Sequence, residues 1–131
     1  MAFTTTRSFV GVTVTLAASN TNYNLKTLVD AILAAETGRD NKVVCPGAPR
    51  FYRIQAYPGI DAGTGANTKD VLIGDGELST SRIGCILVAP AAGVPAGELT
   101  DRSPINNCDF GDLYAQSSTT NQKLNILLAA G

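Results

Sequence analysis

Val10, Val12, Val14 and Leu16 alternate with Gly11, Thr13 and Thr15, which predicts a strand with one apolar face and one threonine-rich face. The same period of two recurs over residues 51–57, where Tyr52, Ile54 and Ala56 alternate with Arg53 and Gln55. Residues 70–75 read as a buried strand that stops at a Gly74-Asp75 corner, and residues 83–89 as an apolar strand broken at Pro90. Two further strands are expected over residues 112–116 and 123–129, the last with Leu124, Ile126 and Leu128 on its inward face. These four later strands are expected to form the antiparallel half of a sandwich onto which the first half folds. Within it, residues 112–116 and 123–129 would pair through the connection 117–122.

The period changes once. Leu25, Leu28, Val29, Ile32 and Leu33 fall at i, i+3, i+4, i+7 and i+8, the spacing of an amphipathic helix near residues 24–36. Asn24 or Asn22 can cap its first turn, and Gly38 can take the left-handed conformation just past its end. The fold class is therefore mainly β: an antiparallel β-sandwich or barrel, jelly-roll-like, with one helix across an opening or face. Residues 1–9 read as an extended, threonine-rich N-terminal arm, disordered in an isolated chain or laid along a neighbour's sheet edge in an assembly. Residues 10–131 read as one domain. Pro46-Gly47-Ala48-Pro49 interrupts the chain, and 58–68 is a glycine-bearing surface loop. Residues 91–104 form a long excursion without periodicity, of the kind that often binds something.

At 131 residues the chain is long enough to bury about two-thirds of its unfolded surface without a metal or disulfide. Ten basic and eleven acidic residues are scattered singly, so no basic stripe invites nucleic acid. No apolar run reaches the roughly 18–20 residues of a spanning helix, so a membrane is not an expected partner. The start Met1-Ala2-Phe3-Thr4-Thr5-Thr6-Arg7 lacks the pattern of a secretory signal, which places synthesis in a cytosol. Cys45, Cys85 and Cys108, odd in number and widely spaced, fit small reduced thiols. Charged residues make up 16% of the chain against about 25% in typical soluble domains. A surface of small neutral groups suits close packing against neighbours.

The chain has no histidine, which removes Ser-His and Cys-His nucleophiles and His-ligated zinc. Carboxylates remain: Asp70, Asp75 and Glu77 lie close in sequence, and Asp101, Asp109 and Asp112 form a second acidic neighbourhood. Paired carboxylates can hydrolyse a glycoside or hold calcium. No EF-hand spacing exists, however, and aspartates at strand ends are expected to cap turns. Gly63-Thr64-Gly65 lacks the third glycine and the Lys-Ser/Thr pair of a nucleotide loop. With no tryptophan, Tyr23, Tyr52, Tyr57 and Tyr114 are expected to pack half-buried, their hydroxyls on polar partners. Cys85 has Arg82 three residues before it and no other activating cation. No catalytic, cofactor-binding or metal-binding residues are expected.

In the second half, a strand runs into Gly-Asp (residues 71–75) and is followed by Ser79-Thr80-Ser81. An apolar strand carrying Gly84, a Pro/Gly-rich loop (90–97), Asp112-Leu113-Tyr114 and a terminal Leu124-Asn125-Ile126-Leu127 complete the order. This order resembles the small accessory structural proteins of tailed bacteriophage virions. The resemblance covers about half the chain and implies a compact β-sandwich or barrel that decorates or cements a capsid. It further implies a non-enzymatic protein, made in the host bacterial cytoplasm and located in the virion. Its partners would be the major capsid protein or other virion proteins, and it would form a homo-oligomer, favourably a trimer. The contact elements would be the arm 2–9 and the loops 58–68 and 90–104. A tail, neck or adaptor component, or a glycan-binding module using an exposed tyrosine, are the alternative readings.

Overall fold

The computed structural model describes residues 3–5, 9–35, 41–43, 51–61, 63–102 and 109–129. In chain order the elements are β1 (Phe3–Thr5), β2 (Phe9–Leu16), β3 (Tyr23–Asn24), α1 (Leu25–Ala34), β4 (Asn41–Val43), β5 (Phe51–Ala56), β6 (Val71–Gly74), β7 (Cys85–Leu87) and β8 (Glu98–Arg102). A 3-10 turn (Phe110–Asp112), β9 (Tyr114–Ser117) and β10 (Gln122–Ala129) complete the chain. Two four-stranded antiparallel sheets result, in the orders β2-β10-β5-β8 and β3-β9-β6-β7. The fold is a β-sandwich and not a closed barrel, because no ladder joins one sheet to the other.

The alternation in the sequence accounts for the core. Burial follows a strict period of two through β5 and β10, where Tyr52, Ile54 and Ala56 face inwards beside Leu124, Ile126 and Leu128. Val71, Ile73, Leu87 and Ala115 face them from the second sheet. Helix α1 closes the sandwich with Leu25, Val29 and Leu33, while Leu28 is half-buried and Ile32 exposed. Asn24 is the cap: its Oδ1 accepts from the Thr27 N–H at 3.0 Å, a contact of about 1 kcal/mol in other helices. The Asn24 amide also donates to the Gly111 carbonyl, and the Leu25 N–H to the Leu113 carbonyl, so the helix start is tied to the 3-10 turn.

Several expectations need correction. The last two strands do not pair with each other. β9 lies in the second sheet, and β10 crosses to the centre of the first, between β2 and β5. The turn between them carries Asn121 at φ 60° and is pinned to the far sheet by Asn121 N–H on the Leu16 carbonyl. The excursion over 91–104 contains β8, a strand with too few apolar positions for its period to register: Glu-Leu-Thr-Asp-Arg has a single apolar residue, Leu99, which packs against the core. The strand over 83–89 shrinks to Cys85–Leu87, and that over 112–116 starts two residues later, after the 3-10 turn. Part of the arm, Phe3–Thr5, pairs in parallel with Asn41–Val43 of its own chain. Gly38, Cys45, Cys108 and the 46–49 interruption lie outside the described residues.

Candidate interaction surface

All four connections between the sheets whose residues are described leave from one end of the sandwich. The register sets Leu16 of β2 against Gln122 of β10, Leu124 against Ala56 of β5, and Gln55 against Glu98 of β8. In the other sheet Val71 lies between Leu87 and Ser117. Residues 17–22, 57–70, 88–97 and 118–121 therefore emerge side by side, and among them are the loop 58–68 and the part of the loop 90–104 that precedes β8, both singled out in the sequence as contact elements.

Each of those two loops is built, not merely long. In residues 57–70, Ile60 and Thr64 exchange backbone hydrogen bonds of 3.0 and 2.7 Å around a turn with Asp61 at φ 48° and Gly63 at φ 99°. Gly63-Thr64-Gly65 is thus the return of a tight hairpin. The loop's base is fixed by Asn67, which is buried. Its Nδ2 donates to the Lys123 carbonyl at 2.8 Å, its Oδ1 accepts the Lys123 N–H at 2.7 Å, and its own N–H donates to the Tyr57 carbonyl. A side-chain amide here replaces one peptide of a neighbouring strand, extending the ladder one residue past β5. Gln122, also buried, accepts the N–H groups of Thr68 and Lys69 on its Oε1.

The second loop, 88–97, has its own hairpin, with Ala91 and Val94 bonded at 3.0 and 2.9 Å and Gly93 at φ 75°. Gly97 joins the layers: its N–H donates to Val88 and its carbonyl accepts from Ala56. A Cβ at Gly97 would lie 2.5 Å from the Val88 nitrogen, so the close approach admits no other residue without backbone movement. The two hairpins present apolar side chains at their tips, Ile60 at 60% and Val94 at 47% exposure. Ile86 and Val88, on and just after β7, are exposed as well.

The acidic residues are dispersed over turns. Asp70 and Asp75 flank β6 at its two ends, about 16 Å apart at the usual rise per strand residue. That exceeds the roughly 5–9.5 Å between cooperating glycosidase carboxylates. Asp70 Oδ1 accepts the Ala89 N–H at 2.8 Å, bracing the 88–97 loop. Asp75 closes a turn by accepting the Glu77 N–H, and its Oδ2 takes a 2.8 Å bond from Arg82. Asp101 accepts the Tyr52 hydroxyl, Asp109 is the cap residue of the 3-10 turn, and Asp112 lies within that turn. Among the described residues no three acidic or thiol groups converge where a metal would sit. None of the four tyrosines is exposed: Tyr52 is buried, Tyr23 accepts the Ala18 N–H on its hydroxyl, and Lys123 lies 5.5 Å from the Tyr57 ring centre. Cys85 is half-buried.

The Arg82 guanidinium, through its hydrogen bond first and the Glu77 N–H second, holds the Asp75 carboxyl below its ordinary value of 3.8. Whatever this pair adds to stability is present above that ordinary value and is lost as pH falls through the folded-state value. Carboxyl NMR titration is expected to give Asp75 a midpoint below 3.8, moving upward in Arg82→Ala; an unmoved midpoint in that variant would show that the guanidinium is not the cause.

The outer face of the first sheet offers a concavity. Thr13, Asn125 and Gln55 form a hydrogen-bonded row across three strands, and Arg53 bridges to Glu98 at 3.3 Å. Beside the row, above Gly11 and next to Leu127, lies a shallow depression of about 380 Å³. No described helix is long and apolar enough to cross a membrane. No family model matches the chain, and no curated protein and no solved structure is significantly similar to it.

Proposed function

We propose that the chain is a non-enzymatic structural protein of a bacteriophage particle, most simply a decoration or cement protein that docks on the head shell. The observation that carries this reading is the loop end: two braced hairpins emerge there together, each with an exposed aliphatic tip, Ile60 and Val94. A preorganised loop loses little entropy on docking, so modest contacts yield useful affinity. Apolar tips in a surface with few charges fit a protein groove better than a sugar or a nucleic acid. The order of motifs in the second half of the sequence supports the virion class by resemblance.

A cement protein acts by mass action: binding an assembled shell and not its loose subunits stabilises the assembled state. Many identical sites on a lattice multiply a weak contact, provided each buries on the order of 1,000 Å². The test is quantitative protein analysis of virus particles purified from the lysate in which the chain is made. Hundreds of copies per particle, lost in an Ile60→Asp/Val94→Asp variant that unfolds at the wild-type temperature, are expected. A handful of copies would move the protein to the neck or tail, and absence from particles would overturn the reading.

A further inference from the structure

Every sheet has two edges, and an uncovered edge is a template for another strand. Of the four edges of the two four-stranded sheets, three are blunted. β3 is two residues long and runs straight into α1. β7 is short and its end is covered by Gly97, bonded to Val88. β8 carries Glu98, Asp101 and Arg102 among its five residues. β2 differs: α1 packs against it through the core residues Leu25, Val29 and Leu33, but the strand has eight residues, its register with β10 is unbroken by a bulge, and it contains neither a charge nor a proline.

The direction of its free groups follows from the ladder. Lys123 of β10 turns its carbonyl to Tyr57 and its N–H to Asn67, both on the β5 side. With a period of two, Asn125 and Leu127 turn the same way, and Gln122, Leu124, Ile126 and Leu128 turn towards β2. Their partners Leu16, Val14, Val12 and Val10 face β10, so the N–H and C=O groups of Gly11, Thr13 and Thr15 point out of the sheet. Among the described residues none of these groups has a backbone partner outside the sheet. Gly11, Thr13 and Thr15 are themselves exposed, whereas Asn125 and Gln55 in the strands behind them are half-buried.

The geometry points to a two-fold homodimer in which β2 of one copy pairs antiparallel with β2 of a second, centred on Thr13. The outward-pointing residues are symmetric about that position, so Thr13 meets Thr13 and Gly11 meets Thr15. About six backbone hydrogen bonds form, and the two sheets become one of eight strands. No like charges oppose one another, because β2 has none. A second copy supplies this register without any further sequence requirement, and the row Thr13-Asn125-Gln55 then continues across the two-fold axis. This contact is independent of the loop end, and its symmetry departs from the trimer that the virion resemblance implies.

Sedimentation of the full chain at micromolar to ~100 μM concentration is expected to show a dimer. Thr13→Lys sets two ammonium groups opposite each other and is expected to give a monomer with an unchanged circular dichroism spectrum. Thr100→Lys, on the other edge of the same sheet, is expected to leave the dimer intact. In a hydrogen-bonded pair the two Cα atoms lie about 5.5 Å apart, within disulfide range, so Thr13→Cys should cross-link on oxidation beyond the wild-type background. Thr15→Cys should not, because its two copies would lie about 13 Å apart. A monomeric wild type, a dimer that survives Thr13→Lys, or equal cross-linking at positions 13 and 15 would overturn the proposal.

Discussion

Asn67→Leu is expected to lower the free energy of unfolding by roughly 1–3 kcal/mol, an effect read directly in a urea titration. Leucine is nearly the same size, so little packing is lost. What is lost is the pair of hydrogen bonds to Lys123, one to each of its backbone groups, at 2.7 and 2.8 Å. The Lys123 N–H then faces an apolar side chain and bears the desolvation cost of an unmade bond, about 1–3 kcal/mol, while the Lys123 carbonyl keeps the Tyr57 N–H at 3.1 Å. Asn67→Asp separates the two bonds. The carboxylate still accepts the Lys123 N–H but sets its second oxygen against the Lys123 carbonyl. Protonation turns that oxygen into a donor, so the folded-state pKa of the new carboxyl is raised above its unfolded value. The stability recovered by protonation is then fully present below about pH 4 and lost as pH rises through the folded-state value. If Asn67→Leu and Asn67→Asp were equally unstable at every pH, the amide would be serving as filler and not as a substitute peptide.

Asn67 also marks where reading the sequence stops. Its place in the chain, between Ala66 and Thr68 in a glycine-bearing loop, is that of any turn-forming asparagine. Only the three-dimensional register of Tyr57 and Lys123 makes it a ladder element. Gln122 is similar: it precedes an alternating strand, and nothing local distinguishes a buried amide from a solvated one. By contrast, the strands over 10–16, 51–57, 70–75 and 123–129 and the helix from Leu25 were legible because burial on one face imposes a period that local composition reveals. β8 lacked that signal because it is a polar edge. The pairing of β10 was missed for a different reason: adjacency in sequence favours hairpins, whereas a sandwich needs some connections to cross between layers.

The chemistry of the surface was partly legible. Turn-capping follows from aspartate's habit of bonding nearby backbone N–H groups, and Asp75 does this on Glu77, whereas Asp70 accepts the Ala89 N–H of the 88–97 loop. Their separation along β6 was implicit in the strand expected over 70–75, since five residues are short in a turn and long in a strand. The loops 58–68 and 90–104 stood out by length and glycine content. The emergence of 58–68 and 90–97 from one end, with Ile60 and Val94 at hairpin tips, depends on the sheet order and could be seen only in the fold.

The second large effect lies at the opposite end of the helix closure. Phe110→Ala is expected to destabilise the protein by about 3–5 kcal/mol. Phe110 is fully buried on the 3-10 turn, and its ring meets that of Tyr52 with centroids 5.7 Å apart and planes tilted by 56°. Alanine leaves a cavity that neither the turn nor β5 can fill, since the turn is bonded to the helix start through Gly111 and Leu113 and β5 sits between two strands. The helix start shares the turn as its anchor, so the loss should spread to it. Amide exchange over Leu25–Ala34 is expected to quicken in Phe110→Ala more than exchange in β10, whose ladders with β2 and β5 do not depend on the turn. Phe110→Leu, which keeps most of the volume, should recover much of the stability while losing the ring contact, and the Tyr52→Leu/Phe110→Leu cycle measures that contact at about 0.5–1.5 kcal/mol. Uniform acceleration of exchange across the sandwich in Phe110→Ala would instead mean that helix, turn and sheets unfold as one unit.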